Sequence, residues 1–194
     1  MKLNLDIKKS SSPEWIATVM SNFDEFLKDH ADCERKASAM AMSFVAKYPD
    51  RKEMIPDLIE TALEELEHFK LVYEIMEQRG IPLPTQMSED PYIKALLKTV
   101  RTGLNERLMD RLLIASVAET RGAERFRMVE EALDDVDLKK FYKMLWTSEA
   151  KHGHIYIKMA LNYFPSEIVY ARLEYWLGEE AKVIEDLEIR PALH

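Results

Sequence analysis

Six side chains in this sequence of 194 residues combine metal-binding types with a repeated spacing. Glu65 and His68 stand three apart in "LEELEHFK", and Glu149 and His152 stand three apart in "SEAKHGHIY". The copies are separated by 149 − 65 = 84 and 152 − 68 = 84 residues, and two lone glutamates keep nearly the same interval, 119 − 34 = 85. Side chains three apart on a helix are neighbours, so a Glu-x-x-His pair can offer one metal an oxygen and a nitrogen while the other carboxylates bridge. Four carboxylates largely neutralise two divalent cations, and a shell of oxygen and imidazole suits iron or manganese better than thiolate-seeking metals. Open positions on such metals would face dioxygen.

The elements that carry these residues read as amphipathic helices, and each of the six interrupts an apolar face. Around Glu65 and His68, the residues Ile55, Leu58, Ile59, Ala62, Leu66, Phe69, Val72, Tyr73 and Met76 recur at spacings of three and four. Asp57, Glu60, Thr61, Glu64 and Glu67 form the opposite, polar face. Glu149 and His152 share a stripe with Leu138, Tyr142, Leu145, Tyr156, Met159 and Tyr163, whereas His154 points elsewhere. Glu34 lies with Leu27, Ala37, Ala41 and Val45, and Glu119 with Leu112, Ala115, Gly122 and Phe126. A carboxylate or imidazole taken out of water without compensation costs several kcal/mol, so each needs a charged partner or a metal ion. A buried Glu and His network without metal is the plainer alternative; placement on four stripes at matched offsets favours the metal. His30, His154 and His194 lack the pattern and read as surface or satisfied histidines, and the tyrosines and eleven methionines as core.

Five glycines and long proline-free stretches predict helix almost throughout. Ser12 caps a helix that starts at Pro13 and runs to about Tyr48, with a break near His30. A second runs from about Lys52 to Arg79 and stops at Gly80. A long connection containing Pro91, with a short helix near Ile93 to Val100, leads to a third helix from about Asn105 to Leu133. "DDVD" opens a fourth that continues to Phe164, and a fifth covers about Ser166 to Asp186. Four long helices in two pairs joined by a long crossover, plus a C-terminal helix, is the all-α, ferritin-like four-helix bundle plan. The whole chain, 1–194, is expected to be one such domain with a di-metal centre.

A composition of 47% hydrophobic and 32% charged residues suits one domain with a sizeable core. No apolar run approaches the roughly 20 residues of a membrane span, and the charged start "MKLNLDIKKSSSPEW" is unlike a signal peptide, so the expectation is a cytoplasmic protein. Cys33, the one cysteine, permits no internal disulfide and reads as a small buried hydrophobe. A net charge of −8 argues against nucleic-acid binding by the whole surface, so any such contact must come from a local patch. "RGAERFR" and "KKFYKMLW", at adjoining ends of the third and fourth helices, offer Arg121, Arg125, Arg127, Lys139, Lys140 and Lys143. A solvated helix face is the plain reading of these charges.

Four segments carry a resemblance to a known family: "DHADCERKAS", "ALEELEHFKLVYEIMEQRGIPLP", "VAETRGAERF" and "SEAKHGHIYIKMALNYF". Over roughly Trp15 to Trp176 the chain resembles the bacterial MiaE-type tRNA hydroxylases. The resemblance implies a dioxygen-dependent di-iron monooxygenase with two iron ions held by Glu34, Glu65, His68, Glu119, Glu149 and His152. It would hydroxylate the isopentenyl group of N6-isopentenyladenosine in tRNA, with or without a 2-methylthio group, drawing electrons from an external ferredoxin or reductase. It also implies a prenyl pocket to which Phe126, Ala115 and Ala41 would contribute. Arg121, Arg125 and Lys143 would then meet the tRNA anticodon loop, whose unstacked bases can be splayed outward. Two rivals remain: a ferroxidase or peroxide-reducing di-iron protein using the same ligands, and a metal-free helical interaction module. The rubrerythrin form of the first is disfavoured because no Cys-x-x-Cys module is present.

Overall fold

The Ser12 hydroxyl and carbonyl both accept from the Trp15 amide, at 3.2 and 3.0 Å, and so start the first helix where a serine before proline should. The computed structural model describes residues 5–86 and 89–194 and contains only helices there. They are α1 (Pro13–Ser21), α2 (Phe23–Lys47), α3 (Ile55–Gln78), α4 (Pro91–Leu97), α5 (Leu104–Ala132), α6 (Val136–Leu161) and α7 (Ser166–Asp186). The charged N-terminal start and the central connection each include positions outside the described residues.

The expected first helix is interrupted at Asn22, not near His30. Asn22 leaves helical geometry at φ −136° and ψ 45°. The Asn22 side-chain Nδ2 and the Ser21 hydroxyl both donate to the Thr18 carbonyl at 3.1 Å, local bonds that compete with helix continuation. At the far end of α3, Gly80 adopts φ +70°, a left-handed terminator that only glycine takes up without strain. The Ile81 amide then closes back on the Met76 carbonyl at 2.8 Å.

The chain groups into two compact units. One comprises Ala17–Glu89 and Arg190–Leu193 and is built on the packing of α2 against α3. Phe26, Leu27, Ala41 and Phe44 of α2, with Leu58, Ala62, Val72 and Met76 of α3, form its core. Ser38 donates to the Ala62 carbonyl at 2.7 Å and pins the two helices together one turn before Glu65. The Asp29 carboxylate accepts from the Leu193 amide at 2.7 Å, fastening the tail residues to α2.

The other unit comprises Met1–Ile16, Asp90–Ile189 and His194, in which α5 packs against both α6 and α7. Helix α5 is therefore buried on every side from Leu112 through Glu119. The α5 to α6 turn is short, capped by Asp135, which accepts from the Asp137 and Leu138 amides at 2.9 Å. Among the described residues, no helix is long and apolar enough to cross a membrane.

Three sequence expectations about side-chain placement are corrected. Thr61, expected on the polar face, is buried and donates to the Asp57 carbonyl at 2.9 Å. Ile59 and Leu66, expected in the core stripe, are 42% and 51% exposed. The inward face of α3 runs through Leu58, Thr61, Ala62, Glu65, His68, Val72 and Met76. Cys33 is half-exposed rather than buried and hydrogen-bonds Asp29 at 3.7 Å.

Candidate metal centre

In the first unit, α2 supplies Glu34 and α3 supplies Glu65 and His68, with exposures of 3%, 1% and 5%. One ligand atom from each lies within 4.8 Å of the others. His68 Nδ1 stands 3.3 Å from Glu65 Oε2 and 3.6 Å from Glu34 Oε2, so one imidazole faces two carboxylates. Glu64 is half-buried and Glu67 exposed, which leaves Glu65 as the buried glutamate of the pair next to His68.

The second unit repeats the arrangement. Glu119 comes from α5, and Glu149 and His152 from α6; all three are buried, and one ligand atom from each lies within 4.8 Å of the others. His152 Nδ1 stands 3.6 Å from Glu149 Oε2. The helices approach closely here because Gly153 follows His152. A Cβ at that position would sit 3.0 Å from Thr120 Oγ1 and 3.3 Å from the Ser116 carbonyl. The Ser116 hydroxyl uses the gap to donate to the Gly153 carbonyl at 2.8 Å.

The donor sets fit a divalent metal in each unit. Hard carboxylate oxygens with one imidazole are the ligands iron and manganese accept. In the second unit the two buried carboxylates share the one imidazole of His152, which can neutralise at most one of them, so a cation relieves a charge that burial makes costly. Ala41 lies buried in the first unit and Ala115 and Phe126 in the second, where the Phe126 ring packs 5.6 Å from Tyr142.

One residue at the site was read as an ordinary histidine. His30 is fully buried, with Nε2 2.7 Å from Glu34 Oε1. A carboxylate can only accept, so Nε2 carries the proton and donates. The signal was in the sequence: position 30 precedes Glu34 by four and shares its face with Leu27. His154 is exposed, and His194 stacks on Tyr92 at 4.7 Å and bonds Asp90, as a satisfied histidine should. Burial pushes the Asp90 carboxyl up, but the bond and charge of His194 with the Ile93 and Tyr92 amides outweigh it and hold the group at about 2.

The expected tRNA contacts at Arg121 and Arg125 are also corrected. Arg121 is fully buried and bound to Glu180, with further bonds to Glu124, Ser11 and the Lys9 carbonyl. Arg125 donates to Ser11 at 3.0 Å and lies 4.6 Å over the Trp15 ring. Burial, followed by repulsion from Arg121, lowers its pKa to about 10, which leaves it charged at neutral pH. Neither guanidinium is available to a phosphate. Lys143, Arg127 and Lys140 are exposed; Arg127 pairs with Glu131 and Lys140 with Asp137.

Comparison with known proteins places this geometry. The family model described as "tRNA-(MS[2]IO[6]A)-hydroxylase (MiaE)" matches residues 3–194. The chain belongs to the MiaE family. The MiaE match takes in all six candidate ligands, since it leaves only the first two residues outside. A Pseudomonas putida relative named tRNA 2-(methylsulfanyl)-N(6)-isopentenyladenosine(37) hydroxylase is 34% identical over 178 residues, 91% of this chain and 86% of its own. A Salmonella typhimurium relative of the same name is 35% identical over 136 residues, 70% of this chain and 49% of its own length. Among solved structures, a Synechococcus protein with aldehyde deformylating oxygenase activity matches with a TM-score of 0.85 and 32% identity, covering 95% of this chain and 92% of that one. This MiaE-family chain thus has the all-α, ferritin-like fold expected from its helix pattern.

Proposed function

We propose that this chain is a cytoplasmic tRNA hydroxylase, a single ferritin-like di-iron domain that adds one oxygen atom to the isopentenyl group of 2-methylthio-N6-isopentenyladenosine. The observation that carries the reading is the MiaE match over residues 3–194, which contains two buried triads of two glutamates and one histidine each. Glu34, Glu65 and His68 with Glu119, Glu149 and His152 would hold two irons. Once reduced, the irons would supply the activation of dioxygen that no amino-acid side chain provides.

The reaction converts a C–H bond to C–OH; the second oxygen atom leaves as water, consuming two electrons and two protons. The chain carries one cysteine, too few to build an iron–sulfur cluster or a redox disulfide, so the electrons come from an external ferredoxin or reductase. The six candidate ligands are all at or below 9% exposure, so metals held by them would be shielded from bulk water. The buried apolar residues Ala41, Ala115 and Phe126 are the proposed prenyl contacts. Of the basic residues, Lys143 with Arg127 and Lys140 remains to meet the anticodon-loop phosphates.

The test is to load the protein with iron, reduce it, add dioxygen and tRNA bearing the prenylated adenosine, then digest and weigh the nucleosides. Gain of one oxygen atom on that nucleoside supports the reading. An unchanged nucleoside, with rapid turnover of peroxide or ferrous iron by the same sample, replaces it with the ferroxidase or peroxidase alternative.

A further inference from the structure

Helix α6 carries a second ordered face, opposite the one that holds Glu149 and His152. Lys140, Lys143, Thr147, Lys151, His154 and Lys158 recur at spacings of three and four, and all six are exposed. At about 3.6 residues per turn they fall within about 80° of the helix circumference, and from Lys140 to Lys158 the row is about 27 Å long. The buried residues Tyr142, Leu145, Glu149, His152, Tyr156 and Met159 occupy the other side. No carboxylate interrupts the row. Between Leu138 and Leu161 the one acidic residue is Glu149, which is buried, in a chain with 35 acidic against 27 basic residues. Thr147 turns its hydroxyl back to the Lys143 carbonyl at 2.8 Å, so the row presents four ammonium groups and the imidazole of His154.

We infer that this row seats the double-stranded arm next to the modified loop: Lys140 and Lys143 meet the loop end, and Lys151 and Lys158 carry the contact on along the phosphates of the anticodon stem. This rests on the tRNA reading above. An ammonium is a point charge that suits phosphate and reads no base, so the row fixes the register of the tRNA and not its sequence. Two features select a duplex. A straight row about 27 Å long matches a partner that is itself straight and evenly charged, whereas a loop is short and turns on itself. Single-stranded bases are held by stacking on aromatic rings, and the row has no Phe, Tyr or Trp. An acidic protein would instead need an apolar centre inside the charged ring, and none of the six residues is large and apolar. Gathering the cations on one face lets a chain of net charge −8 hold a polyanion. Seated on this outer face, the stem leaves the loop at the first turns of α6, from which the prenylated base must turn inward to reach Glu149 and His152.

The experiment measures binding of prenylated tRNA, of its anticodon stem-loop and of an oligonucleotide of the loop alone at several salt concentrations, for the wild-type chain and for Lys151→Gln combined with Lys158→Gln. A phosphate contact to a duplex contributes about 0.9 to the slope of log affinity against log salt, so the glutamine pair should lower that slope by about 2 for the tRNA and the stem-loop. Its deficit in affinity should shrink about tenfold between about 50 and about 200 mM salt. Binding of the loop oligonucleotide should not change. Lys151→Arg combined with Lys158→Arg should keep the wild-type slope. So should Lys98→Gln combined with Lys182→Gln, which removes two exposed lysines of the same unit that lie off the row. A wild-type slope for the glutamine pair at 151 and 158, an equal drop in the pair at 98 and 182, or an equal drop on the loop oligonucleotide overturns this inference and leaves the hydroxylase reading standing. Unchanged tRNA binding with slowed reduction by an acidic ferredoxin also overturns it, and gives the row to a protein partner. A wild-type chain that binds the tRNA at no salt concentration overturns both.

Discussion

Arg121 and Glu180 form an ion pair that touches no solvent, the guanidinium donating from Nε at 2.7 Å and from Nη2 at 3.0 Å. Tyr92 adds a third bond to Glu180 at 3.3 Å, and Arg121 reaches on to the Lys9 carbonyl and Ser11, so the network ties α4, α5, α7 and the N-terminal segment of one unit. Removing one partner strands a charge in the interior. Glu180→Ala should cost about 3–5 kcal/mol of unfolding free energy, whereas exposed Arg127→Ala should cost below about 0.5 kcal/mol. Replacing both Arg121 and Glu180 by apolar residues of similar volume should cost less than either single change. Urea unfolding of the four variants decides it; a Glu180→Ala cost below 1 kcal/mol would contradict the burial argument.

A second network sets the acid limit. Asp110 accepts from Arg101 and Arg172 at 2.7 to 3.0 Å, joining α5 to α7 and to the loop before α5. Burial raises its pKa, but the bonds from Arg101 and Arg172 prevail and hold it at about 2, against 3.8 for the free side chain. A carboxyl with a lowered folded pKa contributes stability that is complete above the unfolded value and fades as pH falls from about 4 to about 2. Asp110→Asn should therefore lower stability at neutral pH and flatten the decline across that window. A variant whose acid-unfolding curve runs parallel to wild type would show that Asp110 does not supply this slope.

These networks mark where the sequence was legible and where it was not. Helix α7 was expected over its observed range, and the turn at Gly80 followed from local chemistry, because glycine and capping residues act on their own neighbours. The burial and clustering of the six candidate ligands were legible because a charge inside an apolar stripe is a local anomaly repeated at one interval. The inward face of α3 was not: Ile59, Leu63 and Leu66 are apolar yet exposed, so two faces competed and only packing against α2 chose between them. Arg121 was misplaced for the same reason. Arginine is usually exposed, and its partner Glu180 lies 59 residues away on another helix. At Asn22 side-chain bonds to Thr18 overrode a helical pattern whose apolar spacing continued unbroken.

The face assignment on α3 yields a sharp contrast. Glu64 and Glu65 both neighbour His68 along the helix, but Glu65 is 1% exposed and 3.3 Å from the imidazole, while Glu64 is half-buried. Glu65→Ala should lose metal, at least tenfold in affinity at the position beside His68, and Glu64→Ala should keep full occupancy. Metal analysis after anaerobic loading checks this. Equal losses in the two variants would mean that the buried face does not define the ligand set.

The surface left for tRNA is smaller than the sequence suggested, and that makes its contribution measurable. Arg127, Lys140 and Lys143 are exposed on α5 and α6, and the local pairs made by Arg127 and Lys140 are short-range surface contacts that phosphates can displace. Each phosphate contact to a single-stranded loop contributes about 0.7 to the slope of log affinity against log salt. Neutralising all three should therefore reduce that slope by about 2 and weaken binding most at low salt. Metal content should not change, because none of the three belongs to either triad. Filter binding of prenylated tRNA at several salt concentrations, with metal analysis of the same samples, makes the comparison. If the triple variant keeps the wild-type slope, the phosphate contacts lie elsewhere on the chain; if its metal falls as well, the variant has been damaged at the centre and the rim assignment gains no support.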